Sequence, residues 1–180
     1  MTKVLVTGGA GFIGSHVVDA LIGQGYEAVV IDNLTAGKLE NIHKKARFYL
    51  IDVNDHQLGE IFAEEKPDYV VHLAAQTQVT GSVTNPRFDA EVNINGTISL
   101  LKQSAQHRTK KVIYSSSAAV YGNSLSLPIK EEQMARPASF YGLSKYTAEQ
   151  YIQLFGTLYE LDYTILRYAN VYGMRQNSHG

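Results

Sequence analysis

The sequence predicts an α/β fold with a doubly wound parallel sheet. Short apolar runs alternate with segments of helical period, which is typical of stacked βαβ units. The first run leads directly into Gly8, Gly11 and Gly14, and Asp32 closes the second run. A glycine turn of this spacing between a strand and a helix, followed by an acidic residue, indicates a Rossmann-type dinucleotide-binding sheet. We therefore expect helices on both faces of the sheet.

The elements follow in order along the chain. Strands are expected near residues 3–7, 27–32, 46–51, 69–73, 111–116 and 163–168, and helices near 12–24, 55–64, 87–107 and 139–161. Asn54 is a candidate N-cap for the second helix, which should end before Pro67. Asn85 and Pro86 supply a capping side chain and a first-turn proline for the third helix. In such a sheet ligands bind at the carboxyl ends of the strands.

Composition excludes several classes of function. A hydrophobic content of 44% and a net charge of −1 describe an ordinary globular protein with no basic field for nucleic acid. The absence of cysteine excludes disulfides and thiolate metal sites, and the six histidines show no paired ligand spacing. No apolar run approaches a membrane span or a signal peptide. We expect no metal, no membrane contact and a cytoplasmic location.

The glycine turn predicts the cofactor. Gly8 allows the turn, Gly11 lets the backbone approach a pyrophosphate, and Gly14 lets the helix lie close to the strand. Amide groups at the helix start, where Phe12 and Ile13 lie, are expected to meet the negative charge. A carboxylate such as Asp32 accepts hydrogen bonds from ribose hydroxyls and repels the additional phosphate of NADP. The expected cofactor is NAD, and the alternative is a glycine turn without a ligand.

A candidate catalytic set lies further along the chain. Tyr141 and Lys145 are four residues apart on one helix face, and Ser117 ends the fifth predicted strand at the same carboxyl edge as the glycine turn. A lysine cation beside a phenol lowers its pKa, so the phenolate can act as a general base towards a carbinol hydroxyl. The spacing alone arises readily by chance, and a pair on a solvated helix surface is the alternative.

These motifs together resemble the extended short-chain dehydrogenase/reductases, and within them the nucleotide-sugar 4-epimerases that act on UDP-glucose and related substrates. The resemblance covers the whole chain. The segments that carry it are 7–14, 32–34, 52–53, 72–75, 93–97, 115–122, 141–145 and 167–176.

The resemblance implies specific roles. Cofactor-binding residues would be Gly8, Gly11, Phe12, Ile13, Gly14, Asp32, Asn33, Asp52, Val53, Leu73, Ala74, Ala75, Asn93, Tyr141, Lys145 and Tyr168. Catalysis would rest on Ser117, Tyr141 and Lys145, and Asn170 would join Ser117 and Tyr141 in binding the UDP-sugar. The implied reaction, part of galactose and nucleotide-sugar metabolism, oxidises C4 of a UDP-hexose to a transient ketone and returns hydride to its other face.

Other branches of the family remain open as alternatives. Dehydratases and decarboxylases need acidic residues just after the catalytic hydroxyl, where this chain has Ala118 and Ala119, so epimerisation is favoured. A non-catalytic NAD-binding protein is the alternative from another class. The resemblance also implies a homodimer of the complete protein through segments 87–107 and 139–161, with Tyr146 and Tyr151 as candidate contacts.

The expected domain organisation ends abruptly. Residues 1–168 should form the NAD-binding domain with the catalytic residues, and residues 169–180 should begin a substrate-binding region that is truncated. A naturally short chain is the alternative. We expect the isolated 180-residue chain to bind NAD but to epimerise poorly or not at all.

Overall fold

A six-stranded parallel sheet organises the chain in a computed structural model that describes residues 1–124 and 127–176. The strands are β1 (Lys3–Thr7), β2 (Glu27–Asp32), β3 (Arg47–Leu50), β4 (Tyr69–His72), β5 (Lys111–Ser117) and β6 (Asp162–Tyr168). Their order is β3-β2-β1-β4-β5-β6, so the winding direction reverses between β1 and β4. Ligand sites of doubly wound sheets lie at this reversal. The predicted fold class is confirmed.

Helices occupy the connections between the strands. They are α1 (Phe12–Gly23), α2 (Leu58–Glu65), α3 (Val79–Thr84), α4 (Pro86–Ala90), α5 (Gly96–Gln106) and α6 (Phe140–Tyr159). A π-helical turn, Glu91–Asn95, joins α4 to α5, so the predicted helix 87–107 is present with an irregular centre. Helix α3 was not predicted, because its sequence Val-Thr-Gly-Ser-Val-Thr consists of weak helix formers.

The two faces of the sheet are covered unequally. Helices α2, α5 and α6 bury one face in a core whose largest members include Phe62, Leu100 and Ile152, all 0–1% exposed. On the other face α1 packs on β1 and β2, with Val18 in a smaller core. Both faces therefore carry helices as predicted, and most of the buried apolar area lies on the side of α6.

The sequence predicts two helix caps, of which the structure confirms the one at Asn85 and contradicts the one at Asn54. Asn85 accepts a hydrogen bond from the Phe88 amide at 3.1 Å and precedes Pro86 at the first position of α4, as predicted. Asn54 does not cap α2, which begins only at Leu58. Its side-chain amide instead donates to the backbone carbonyl of Glu91 at 3.1 Å, so tertiary contact overrides its local capping tendency.

The segment after β6 crosses the outer side of α1. His16 Nε2 lies 2.9 Å from the carbonyl oxygen of Met174, and Arg175 pairs with Asp19 at 2.8 Å. A groove of about 440 Å³ lies between this segment and α1. Residues 177–180 of the predicted substrate-binding region lie outside the described residues, and that assignment stays a prediction. Within the described ranges, no helix has the length and apolar character needed to cross a membrane.

Candidate active site

The glycine turn after β1 is shaped by close backbone contacts. Gly8 has φ of +71°, and a Cβ there would lie 2.7 Å from the amide nitrogen of Ala74. A Cβ at Gly14 would overlap the carbonyl oxygen of Gly8. Both positions therefore require glycine, one for its left-handed backbone and one for the approach of α1 to the turn.

The start of α1 suits an anion. Gly11 is its N-cap and has no side chain to cap the helix. The first-turn amides, including those of Phe12 and Ile13, consequently have no capping side chain among the described residues. Amides at a helix start, aided by the helix dipole, bind phosphate groups. The turn and the helix start thus fit the pyrophosphate of a dinucleotide.

The carboxyl ends of β2 and β3 bring the predicted adenosine-side residues together. Asp32 is 7% exposed and accepts hydrogen bonds from the amides of Ala10 at 3.0 Å and Leu34 at 2.8 Å, so it also braces the glycine turn. Asn33 donates to Asp52 at 2.7 Å, and the adjacent Val53 is buried. The cofactor contacts of these residues stay predictions.

A buried histidine joins β4 to the glycine turn. His72 Nδ1 lies 2.7 Å from the hydroxyl of Thr7, and Nε2 lies 3.0 Å from that of Thr97. Thr97 donates its proton to the Asn93 carbonyl at 2.7 Å, so Nε2 must donate to Thr97. Thr7 accepts from the amide of Ala74 at 3.1 Å and donates to Nδ1. This pattern assigns a neutral imidazole.

Electrostatics agree with that assignment. Burial, with a smaller contribution from the charge of Lys145, lowers the pKa of His72 to about 3. The network fixes the segment that follows β4, in which Leu73, Ala74 and Ala75 run past Gly8. In the sequence, His72 stands out only as part of a segment that resembles the family. The hydrogen-bond partners of a lone histidine between apolar residues cannot be predicted from the sequence.

Asn93 lies in the π-helical turn and is 2% exposed. Its side-chain oxygen accepts from the Gln76 amide at 2.9 Å. Its NH₂ lies within 3.1–3.2 Å of the Gln76 carbonyl, Asp89 Oδ1 and Ser144 Oγ. The amide therefore ties the segment after β4 to α6. Its predicted contact with the nicotinamide end of the cofactor stays a prediction.

The start of α6 is held against the turn that follows β5. Ser139 caps the helix by accepting from the Gly142 amide at 3.0 Å, and Ser82 of α3 accepts from the Tyr141 amide at 3.1 Å. A Cβ at Gly142 would lie 2.5 Å from the Ala119 carbonyl, so α6 approaches this turn closely. The unpredicted helix α3 thus positions Tyr141.

The three predicted catalytic residues come together at this point. The Ser117 hydroxyl accepts from the Ala119 amide at 3.1 Å and lies close enough to the Tyr141 phenol to lower its pKa. Lys145 is 3% exposed, one turn further along α6, with its ammonium 4.6 Å from the ring centre of Tyr114. The alternative of a solvated surface pair does not hold, because Lys145 is buried and Tyr141 half-buried.

The protonation equilibria differ from the sequence-based expectation. Burial raises the pKa of Tyr141, the hydrogen bond to Ser117 opposes this, and the charge of Asp89 raises it further. The expected lowering by Lys145 is therefore wrong for this structure. Burial also lowers the pKa of Lys145 to about 7, although Asp89 and Glu149 act in the opposite direction.

A buried ion pair fixes α6 on the last two strands. Glu149, 0% exposed, accepts from Arg167 of β6 at 3.0 and 2.7 Å and from Ser116 at 2.5 Å. The sequence does not single out Glu149, because no local pattern pairs residues 18 positions apart. Tyr168 ends β6 half-buried and Asn170 is exposed, and their predicted ligand contacts stay predictions.

The described residues contain no group of three or more histidine, aspartate or glutamate side chains that could hold a metal ion. The chemistry available at the carboxyl edge comes instead from a hydroxyl, a phenol and an ammonium beside a glycine turn. A doubly wound sheet that brings these groups to a glycine turn at its carboxyl edge has the arrangement of the dinucleotide-binding class of proteins.

Comparison with known proteins identifies the family. Residues 4–180 match the NAD dependent epimerase/dehydratase family, and the chain belongs to it. A putative UDP-glucose 4-epimerase of Methanocaldococcus jannaschii is 47% identical over 178 residues, which cover 98% of this chain and 58% of that protein. The UDP-glucose 4-epimerase of Mycolicibacterium smegmatis is 41% identical, over 99% of this chain and 59% of that protein.

Solved structures agree. The UDP-glucose 4-epimerase of Thermotoga maritima with UDP-glucose matches with a TM-score of 0.97 and 47% identity, over 99% of this chain and 59% of that one. The Thermus thermophilus UDP-glucose 4-epimerase in complex with NAD matches with a TM-score of 0.97 and 42% identity, over 99% and 58%. The chain therefore spans a little under three fifths of the length of these relatives.

Proposed function

We propose that this chain supplies the cofactor-binding and catalytic part of an NAD-dependent 4-epimerase that acts on a UDP-hexose. The observation that carries the proposal is the junction of Ser117, Tyr141 and the buried Lys145 at the same strand edge as the glycine turn. Relatives with the same fold and 41–47% identity are UDP-glucose 4-epimerases, which supports the assignment.

The cofactor fits the residues that are present. Gly8 and Gly14 leave room for backbone only, and the uncapped start of α1 offers amides to a pyrophosphate. Asp32 lies at the end of β2, where its charge disfavours the extra phosphate of NADP. When bound there, NAD would accept the hydride of the sugar C4 carbon and return it.

The chain's own residues would handle the proton. Tyr141, as phenolate, takes the proton of the C4 hydroxyl while the carbinol is oxidised to a ketone, and returns it when the ketone is reduced. The Ser117 hydroxyl, which favours the ionised phenol, would share the hydrogen bond to the substrate oxygen. Lys145, in its cationic form, would hold the nicotinamide ribose of the cofactor, and Asn170 would contact the sugar nucleotide.

The residues after Ser117 favour epimerisation over elimination. Ala118 and Ala119 begin a short 3-10 turn immediately behind the hydroxyl. Methyl groups neither donate nor accept a proton, so a dehydratase or a decarboxylase would lack its additional acid and base at these positions. Epimerisation needs only oxidation and its reversal, and the site provides for both.

Cofactor binding is tested by native mass spectrometry of the chain with NAD and with NADP. We expect an adduct of NAD mass in preference to NADP. The variant Asp32→Asn should reduce that preference, since it removes the charge that repels the extra phosphate. A folded chain, checked by circular dichroism, that binds neither cofactor would contradict the proposal.

Catalysis is tested by the conversion of UDP-galactose to UDP-glucose. Because the chain spans only part of its relatives' length, we expect slow turnover or none, and efficient turnover would contradict this expectation. Tyr141→Phe should remove whatever turnover is present while NAD binding is kept. Tyr159→Phe, at the exposed end of the same helix, is the matched control. An active Tyr141→Phe variant would favour a different base.

We also propose a homodimer of the complete protein through α6 and the helical segment that precedes it. Apolar side chains recur along one side of α6 at helical spacing and are 38–70% exposed: Leu143, Tyr151, Leu154 and Leu158. An exposed apolar stripe of this kind is typical of an interface. Leu154→Glu should shift the mass measured by light scattering from dimer to monomer, and an unchanged mass would contradict the assignment.

A further inference from the structure

Asp89 is a buried carboxylate beside the proposed catalytic residues. It lies in α4, is 1% exposed, and accepts hydrogen bonds from Gln76 Nε2 at 3.0 Å and Asn93 Nδ2 at 3.2 Å. Among the described residues no lysine, arginine or histidine nitrogen lies within ion-pair distance of it. A buried carboxylate held only by neutral donors is costly unless a nearby positive charge stabilises it.

Burial raises the pKa of Asp89, and Lys145 supplies the positive charge that opposes this rise. Asn93 links Asp89 to Ser144 at 3.1 Å, and Ser144 directly precedes Lys145 on α6. Lys145 is buried in turn, without an ion-pair partner among the described residues, and lies over the ring of Tyr114. Two opposite charges thus share one interior without touching, and in a weakly screened interior their attraction extends beyond contact distance.

We propose that Asp89 is a positioning residue for the catalytic pair Tyr141 and Lys145: its charge favours the ammonium form of Lys145, and its hydrogen bonds fix Asn93 and Gln76 beside α6. The proposal rests on the proposed function and deepens it, since it names the group that prepares Lys145 for its role beside Tyr141. Asp89 touches neither residue and acts through the electric field and through the amides that it binds.

Four other ionisable groups lie around Lys145. They are Glu149 on α6, which is bonded to Arg167 of β6, Tyr114 on β5, His72 on β4 and Tyr141 on α6. Helix α3 carries no ionisable side chain, and Glu91 in the π-helical turn is exposed. Glu149 also raises the pKa of Lys145, but a guanidinium already balances its charge, whereas Asp89 is the larger contributor and has no cationic ion-pair partner among the described residues.

Removing the charge should therefore be visible in the titration of Lys145 itself. In the wild-type chain burial lowers the pKa of Lys145 to about 7 while Asp89 raises it. Asp89→Asn keeps the size and the oxygen acceptor but removes the charge. We expect the midpoint to fall by about one pH unit or more, so that the lysine is largely neutral at pH 7.

The measurement is NMR of the 180-residue chain labelled with 13C at lysine Cε, with Lys145 assigned by its absence in Lys145→Met. Glu91→Gln is the matched control, because it removes a carboxylate two residues further along on an exposed position. We expect the Lys145 midpoint to fall in Asp89→Asn and to stay in Glu91→Gln. An unchanged midpoint in folded Asp89→Asn would overturn the proposal.

A second variant decides the matter if Asp89→Asn does not fold. Asp89→Glu keeps the charge and changes the hydrogen-bond geometry, so the midpoint should stay within about one pH unit of the wild type. A larger fall would mean that the hydrogen-bond geometry at position 89, and not its charge, sets the titration midpoint of Lys145. This result would also overturn the proposal. The titration needs neither cofactor nor substrate. Failure to bind NAD would refute the proposed function and leave this result standing, so the two failures are distinguishable.

Discussion

Acid should destabilise this protein through His72, one of its largest fully buried side chains. The neutral imidazole donates to Thr97 and accepts from Thr7, so a second ring proton would point at a hydroxyl that already donates. The side chain is 1% exposed, and burial lowers its pKa to about 3 from an ordinary value of 6.5. The unfolded chain therefore takes up a proton between these two values and the native protein does not.

The sign and size of the effect follow from linkage. With the pKa lowered on folding, the stability is complete above pH 6.5 and is lost as the pH falls towards 3. Each unit of difference corresponds to about 1.4 kcal/mol, so at pH 4 the free energy of unfolding should be lower by about 3 kcal/mol from this group alone. This is a large part of the total stability of an ordinary domain.

Urea denaturation of the wild type and of His72→Gln between pH 4 and pH 7 isolates this contribution. Without the hydrogen bonds of the imidazole to Thr7 and Thr97 the variant should be less stable at pH 7. Because it lacks the titrating group, the difference in stability from the wild type should shrink by about 3 kcal/mol towards pH 4. His56→Gln, whose side chain is 86% exposed, is the control and should leave the pH dependence within about 0.5 kcal/mol. Parallel pH profiles for the wild type and His72→Gln would refute the assignment of a neutral buried imidazole.

Two further predictions use paired variants and urea or thermal denaturation. Gly14→Ala forces a Cβ into the Gly8 carbonyl and should cost about 1–3 kcal/mol and weaken NAD binding, whereas Gly23→Ala, with no heavy atom near its Cβ, should raise stability by about 0.5–1 kcal/mol. Equal effects would contradict the close approach of α1. Glu149→Gln leaves Arg167 without its carboxylate partner and should cost about 3–5 kcal/mol. Glu40→Gln removes an exposed pair with Lys38 and should cost less than about 1 kcal/mol, and a similar loss in both would argue against the buried pair.

The regular part of the fold follows from local sequence patterns. The six strands, α1 and α6 appear within one or two residues of the predicted bounds, because apolar periodicity and glycine turns are local signals. The capping role of Asn85 is also local and was correct. Helix α3 and the π-helical turn have no such signal. They form where Ser82 and Asn93 find partners in α6 and in the segment after β4.

The candidate site likewise contains some residues that the sequence predicts and others that only the fold brings together. Ser117, Tyr141 and Lys145 could be chosen from the sequence, since each lies at a recognisable strand end or helix start. The groups that set their protonation could not, because Asp89 lies more than 50 positions before Tyr141 and reaches it only through the fold. The direction of the pKa of Tyr141 differs from the prediction chiefly because burial raises it, with a smaller contribution from Asp89. Burial disfavours both the phenolate of Tyr141 and the ammonium of Lys145, and their spacing on one helix face does not reveal how deeply each is buried.

Burial gives two buried side chains of this site different roles. It lowers the pKa of both Lys145 and His72 by removing the water that would stabilise their charged forms, but the two side chains have different neighbours. His72 remains neutral and binds β1 and β4 to α5, so it serves structure. Lys145 keeps a pKa near 7, because Asp89 and Glu149 oppose the effect of burial, and it can therefore gain or lose its charge in the working range of an enzyme. A ligand that brings charge to the carboxyl edge will shift this equilibrium, whereas the His72 network will hold the strands in place.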